Sequence, residues 1–153
     1  MIIYKHTQTG YLIIAIFSLT ILAMLGLSIQ SGFHQMMWIV LTILGLVLAI
    51  FARQTVIVTN QWLEFYFNFG VFRKRILLDQ VTQAKAVRNP WYYGWGIHLT
   101  PRGWLYNVSG RNAVEITMIN GRHFRIGSDE PDQLAKVISN NLNTLLPAKV
   151  TKS

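Results

Sequence analysis

The sequence predicts two objects in one chain: an antiparallel pair of membrane helices, and a small α+β domain in which a strand-rich sandwich or barrel is closed by a C-terminal helix. Three observations carry this. No Asp, Glu, Lys or Arg occurs between His6 and Arg53, while all six acids and every basic residue except Lys5 lie at or beyond Arg53. From Gln54 onward the apolar period becomes two. From Ser128 it changes again, to the spacing of a helix. The composition agrees: 52% of the 153 residues are hydrophobic and 13% charged, against about 25% charged in an ordinary soluble domain.

The first helix is predicted over 11–29, reading YLIIAIFSLTILAMLGLSI. At 1.5 Å per residue it covers ~28 Å, close to the hydrocarbon thickness of a bilayer. The second, over 36–52, is slightly shorter and can take Phe33 at its start. Only QSGFHQ separates them, so they form a hairpin whose backbone groups are satisfied internally. The first run is too long for a signal peptide, lacks an A-x-A site and is followed at once by a second apolar run. Lys5 and Arg53 flank the hairpin and its turn has neither Lys nor Arg. The positive-inside rule then places both termini and the following domain in the cytoplasm, with two spans of the inner membrane. Trp38 suits the opposite interface. Gly26 and Gly45 form no G-x-x-x-G pair.

Short strands follow over 54–59, 61–69, 72–77, 81–88, 96–100, 103–108, 113–118 and 122–126. In the second, Leu63, Phe65, Phe67 and Phe69 share one face. Leu78-Asp79-Gln80 reads as a turn. Asn120-Gly121 suggests a two-residue hairpin loop, but that register would set Phe124 and Ile126 opposite the face of Val114, Ile116 and Met118. A three-residue loop, 119–121, restores one apolar face, so a type I turn with Gly121 as a left-handed bulge is predicted. Ser128, the acids after it and Pro131 start a helix over about 130–146. Its stripe is Leu134, Val137, Ile138, Leu142 and Leu145, and Pro147 stops it. The division is therefore 1–53 hairpin, 54–147 domain, and a frayed tail 148–153.

The absence of cysteine excludes disulfides, thiolate metal sites and a Cys nucleophile. Ser109 lies in N-V-S-G, not in a nucleophile elbow. His98 and His123 fall on strands without a metal-ligand spacing and read as sheet-surface histidines. Asp79 reads as a turn residue and Glu115 as the partner of a nearby Arg. No catalytic residue, metal or cofactor is expected.

Read together, RNPWYYGWGIHLTPRGWLYNVSG and NAVEITMINGRHFRIGSDEPDQL, behind two membrane helices, resemble the bacterial pleckstrin-homology-like membrane proteins. The resemblance implies a seven-stranded, partly open barrel with a C-terminal helix over one end, and no reaction. Lipid-binding members of the wider fold hold phosphoinositides with basic residues at the first strand–strand loop. That turn reads here as Thr59-Asn60-Gln61, which has no charge, so no such site is implied.

The basic excess points to an acidic partner. Arg73-Lys74-Arg75, Arg88 and Arg102 are candidate contacts for anionic lipid headgroups, since each basic residue near an anionic surface gains about 1 kcal/mol. Solvated strand faces are the alternative reading. Nucleic acid is not expected: the charges are scattered and no motif accompanies them. The segment NPWYYGWG places Trp91, Tyr92, Tyr93 and Trp95 among turn residues. It either touches the lipid surface or a partner's membrane part, or Trp91 and Trp95 plug the barrel end, or Trp95 turns in and the others out. The function predicted is a non-catalytic, membrane-anchored interaction module that docks proteins at the cytoplasmic face. The alternative is a sensor of anionic lipid using the basic and aromatic loops.

Overall fold

The computed structural model describes residues 1–32 and 35–150, without the side chains of Ser31 and 145–150. Phe33, offered above as the start of the second helix, and the last three residues of the tail lie outside the described residues, as does the side chain of Leu145. The chain opens with a strand, β1 (Ile2–Thr9), followed by α1 (Tyr11–Ser31) and α2 (Gln35–Phe51). Then come β2 (Arg53–Thr59), β3 (Trp62–Phe67), β4 (Lys74–Leu77), β5 (Val81–Arg88), β6 (Gly96–Thr100), β7 (Gly103–Asn107), β8 (Asn112–Met118), β9 (His123–Gly127) and α3 (Pro131–Val150).

Among the described residues one helix, Tyr11–Gln30, is long and apolar enough to cross a membrane, with a mean hydropathy of 2.6. The second apolar helix, Gln35–Phe51, has 17 residues. The two pack together, and Ser28 bonds both to the Met24 carbonyl of its own helix, at 2.6 Å, and to the Met37 sulfur across the pair.

Two sheets face each other across one core. The first has the order β1-β2-β3-β4, antiparallel throughout; the second runs β5-β8-β9-β7-β6. All its pairs are antiparallel except β7 with β9. Val56, Val58, Leu63, Phe65 and Ile76 from the first sheet meet Val81, Val114, Ile116, Phe124 and Ile126 from the second. Leu134, Ala135, Ile138 and Leu142 of α3 complete that core, with the helix lying over β5 and β8. The Glu130 carbonyl accepts the first helical N–H, from Leu134 at 3.1 Å, and the Ser128 hydroxyl accepts the N–H of Glu130 at 3.1 Å. Pro131 occupies the first position, where its missing N–H costs no bond.

The register of the Asn120-Gly121 hairpin follows the parity argument. Ile116 pairs with Phe124 and Thr117 with His123, so 119–121 form the loop, and Gly121 has φ 75°. Val114, Ile116, Phe124 and Ile126 thereby share one buried face.

Several sequence expectations change. Residues 2–9 do not belong to the hairpin unit: β1 pairs along its whole length with β2, from Ile2–Thr59 to Thr9–Arg53. Its inward face is Tyr4, His6 and Gln8, too polar to announce a strand. The first strand–strand connection is consequently the helical hairpin itself, and Thr59-Asn60-Gln61 joins β2 to β3. Phe69 leaves the core face because β3 ends at Phe67 and a 3-10 turn (Asn68–Gly70) follows. The C-terminal helix continues through Pro147 to Val150, since proline's fixed φ is itself helical.

Candidate membrane-facing site

The base of the hairpin is part of the first sheet. The N–H of Gly10 donates to the carbonyl of Ala52 at 2.8 Å, extending the β1–β2 ladder by one rung. A side chain at Gly10 has no room: its Cβ would lie 2.9 Å from the Val108 carbonyl oxygen. Ile13 of α1, Phe67 of β3 and Val108 form a second buried cluster, flanked by Phe17, Leu48 and Phe51. The Asn68 side chain donates to the carbonyl of Ala49 at 2.9 Å, satisfying one of the acceptors that a helix end leaves open. The helices are thus packed onto the strand domain and not merely linked to it.

The turn from β3 to β4 touches this base. Phe69 and Phe72 both have left-handed backbone, φ 57° and 51°, and both are exposed, Phe69 to 81%. Positive φ at a bulky residue costs of order 1 kcal/mol or more and persists only where neighbours impose it. Here Gly70 supplies the third left-handed residue, and the Phe72 ring stacks on Phe51 at 6.0 Å. The sequence gives no sign of this, because Phe69 continues the alternation of β3.

The run Arg73-Lys74-Arg75 is not one basic patch. Arg73 Nε lies 3.4 Å from Glu64, and Arg75 holds the same carboxylate at 2.7 Å from both Nε and Nη2. Arg73 also covers the Tyr66 ring and Arg75 the Trp62 ring. The period of the strand sends Lys74 to the other face, opposite Phe65. Its ammonium sits over the rings of Tyr106 and Phe124, at 5.3 and 4.9 Å, and donates to the Tyr106 hydroxyl at 3.4 Å. Among the described residues no carboxylate comes within 4.0 Å of it.

The aromatic segment is anchored at its start and open beyond. Asn89 is 2% exposed; its N–H donates to the Arg111 carbonyl at 2.7 Å and its carbonyl accepts from Arg111 Nε at 3.2 Å. Trp91–Tyr93 form a 3-10 turn, with Trp91 77% and Tyr92 68% exposed. Neither Trp91 nor Trp95 plugs the end of the strand domain: Gly94 and Gly96, at φ 66° and 106°, swing the chain out, so that Trp95 and Ile97 face Ile13, Ile16 and Phe17 of α1 across a groove of about 420 Å3. Trp95 is 37% exposed and lies against the hairpin, not inside the strand domain, so the expectation of an inward Trp95 does not hold either; Trp91 and Tyr92 face outward. Tyr93 is half-buried. The Trp95 carbonyl accepts from the His98 ring.

The structure therefore brings Trp95 to the hairpin base and Trp91, Tyr92 and Tyr93 into the segment leading to it. Lys74 and Arg73 line a neighbouring cavity of about 370 Å3 with Phe72, Ile97, Trp104 and Tyr106. Arg102 stands apart, since the whole of β6 separates it from Trp95. It approaches Glu115 at 4.0 Å and is otherwise exposed. Arg88 ends β5, exposed, and lines neither cavity. Residues not singled out from the sequence are Phe69, Phe72, Ile97, Trp104 and Tyr106.

The other charged groups serve the fold. Glu115 takes Arg125 Nε at 2.8 Å and Nη2 at 2.7 Å. His6 meets Asp129 at 2.6 Å, tying β1 to the start of α3. Beside it the Tyr4 hydroxyl donates to Glu130 at 3.3 Å; burial first, and then the Glu130 carboxylate, push this phenol well above its usual range. His123 Nδ1 lies 3.2 Å from the Thr117 hydroxyl. Among the described residues no three His, Asp or Glu gather as a metal site would require.

In comparisons with known proteins, no family model, no curated protein and no solved structure matches this chain.

Proposed function

We propose that the chain is a non-catalytic, membrane-anchored interaction module of the pleckstrin-homology-like type, docking proteins at the cytoplasmic face of the inner membrane. The observation that carries this is the Gly10–Ala52 junction. Because β1 and β2 are paired neighbours, both ends of the hairpin leave the domain at one point. If α1 crosses the bilayer, α2 must cross back, and 17 residues reach ~26 Å at 1.5 Å each, at the lower end of spanning lengths. Lys5 and Arg53 flank that point, which favours the cytoplasm for the domain.

The strand count supports the fold reading. The β6–β7 hairpin is an insertion between β5 and β8, which pair with each other. Without it, seven strands remain, four in the first sheet and β5, β8 and β9 in the second, followed by a helix over one side. The membrane hairpin then stands where that fold has its first strand–strand loop.

Protein docking is supported by the same insertion. Its outer strand β6 is a sheet edge, and the cross-strand pair Leu99–Trp104 is exposed, Leu99 to 71%. An open edge beside apolar side chains is where a partner's strand adds. A second reading, sensing of anionic lipid, is favoured by the exposed Phe69, Phe72, Trp91 and Tyr92 on elements at or leading to the hairpin base.

The chain has no cysteine, so single cysteines report topology cleanly. Gln35→Cys is expected to react with an impermeant maleimide from outside intact cells, and Asn120→Cys only after permeabilisation. Reaction of both from one side sinks the two-span reading. A photo-crosslinking residue at Leu99 is expected to give discrete protein adducts that Trp104→Asp removes. Crosslinks unchanged by Trp104→Asp would move the docking surface elsewhere.

A further inference from the structure

We infer that the hairpin base holds one anionic phospholipid, its phosphate on Lys74 and one acyl chain in the groove between α1 and β6; this rests on the reading that α1 crosses the bilayer. Two cavities meet there. The groove beside Ile13, Ile16 and Phe17 is almost wholly apolar, and the adjoining cavity is lined by Lys74. Ile97 lines both, and they are joined again by the Phe51–Phe72 stack, Phe51 lining the first and Phe72 the second. The site is amphipathic along one direction: apolar where the first turns of α1 rise from the domain, cationic one side chain away.

The charge pattern selects the ligand. Arg73 and Arg75 share the one Glu64 carboxylate, which offsets one of their two charges. Lys74 is half-buried on the core side of β4, and Tyr106 and Phe124 give it ring faces and one hydroxyl but no counter-ion. A partly desolvated cation beside a cavity gains most from an anion placed in that cavity. A free phosphate would use Lys74, with Arg73 on the same cavity wall, and leave the groove empty. A phospholipid also fills the groove, whose α1 wall continues into the span, so its chain needs no new path out of the bilayer. Trp95 and Trp104, one lining each cavity, are of the kind that settle at the headgroup level.

The test uses the full chain in nonionic detergent, with native mass spectrometry of lipid adducts. Dioleoyl phosphatidylglycerol is compared with dioleoyl phosphatidylcholine, and inorganic phosphate is titrated separately. One phosphatidylglycerol per chain is expected, preferred over phosphatidylcholine by about tenfold, which corresponds to about 1.4 kcal/mol. Lys74→Gln should abolish the preference and Lys74→Arg keep it. Ile97→Trp, which narrows the groove, should weaken both lipids, and Arg88→Gln, outside both cavities, should change nothing. Equal binding of the two lipids, or a preference that survives Lys74→Gln, overturns the inference. So does displacement of phosphatidylglycerol by equimolar phosphate, which would make this a simple anion site. The cysteine labelling above reads the crossing of α1 independently, so a failed lipid site and a failed span give different results.

Discussion

Arg125 donates from Nη1 to the side-chain oxygen of Asn89 at 2.8 Å, a buried bond between the middle strand of the second sheet and the first residue of the aromatic segment. The same guanidinium holds Glu115, so the exposed Trp91 and Tyr92 stand on a base clamped to the central strand of the second sheet.

Arg125→Met should therefore be costly, by about 3 kcal/mol, because it leaves the Glu115 carboxylate largely buried without its close partner. Asn89→Ala should cost less, about 1–2 kcal/mol, as the lost partner of one charge-assisted bond. Its distinctive effect is local: amide exchange over 89–96 should accelerate while β5 and β8 stay protected. Thermal unfolding and hydrogen exchange of the full chain in detergent check both. Uniform acceleration across the second sheet would mean that Asn89 supports the whole sheet and not the segment.

A chain beginning at Gln54 should not fold, because it lacks β1 and leaves Val58 and its neighbours beside an empty strand position. Gly10 and Ala52 already face each other across the ladder, so Asn-Gly in place of 11–51 should close β1 onto β2 with a two-residue turn. The closed version is expected to show dispersed amide resonances and one cooperative melt, and the truncated version neither. Equal behaviour of the two would show that β1 contributes little.

The raised Tyr4 phenol gives a pH dependence with a definite sign. The unfolded phenol ionises near its usual value of about 10, the folded one higher, so the unfolded chain loses its proton first. Stability is intact below that pH and falls as pH rises toward the folded pKa, at up to ~1.4 kcal/mol per unit. Urea midpoints at pH 9 and 11 should separate for the wild type more than for Tyr4→Phe. An identical separation would place the alkaline sensitivity elsewhere.

Gly103 carries φ 90°, and a Cβ there would lie 1.8 Å from the carbonyl oxygen of His123 across the parallel β7–β9 pair. Gly103→Ala should cost at least ~2 kcal/mol, from strain and displacement of β9 together. Gly110→Ala, at φ 70° but with open space around it, should cost about 1 kcal/mol, from strain alone. Chemical denaturation of the two variants side by side checks the difference.

The second half of the chain was legible because its strands alternate and its turns are punctuated. Even the loop at Asn120-Gly121 follows once Ile116 and Phe124 must share a face. β1 was not legible, for two reasons. Its inward residues His6 and Gln8 are polar, His6 meeting Asp129 and the Gln8 amide N–H donating to the Ser109 carbonyl, and its partner lies beyond both helices. No local window contains such a pair. The basic run misled in the opposite way: three adjacent charges look like one patch, but a strand divides neighbours between two faces, giving Glu64 to Arg73 and Arg75 and the aromatic side to Lys74. Phe69 shares a face with Leu63, Phe65 and Phe67 only if the alternation is extended past Phe67, where the strand stops.

A sheet whose first two strands are separated by an apolar helical hairpin also imposes an order on biosynthesis. β1 leaves the ribosome first and has no partner until both helices have been made, a wait of ~2–10 s at about 5–20 residues per second. If only one helix inserts, β1 and β2 emerge on opposite sides of the bilayer and the first sheet cannot form. On the two-span reading proposed above, the domain inspects its own anchor: a correctly threaded chain folds, and a wrongly threaded one leaves the faces of Val56 and Phe65 exposed.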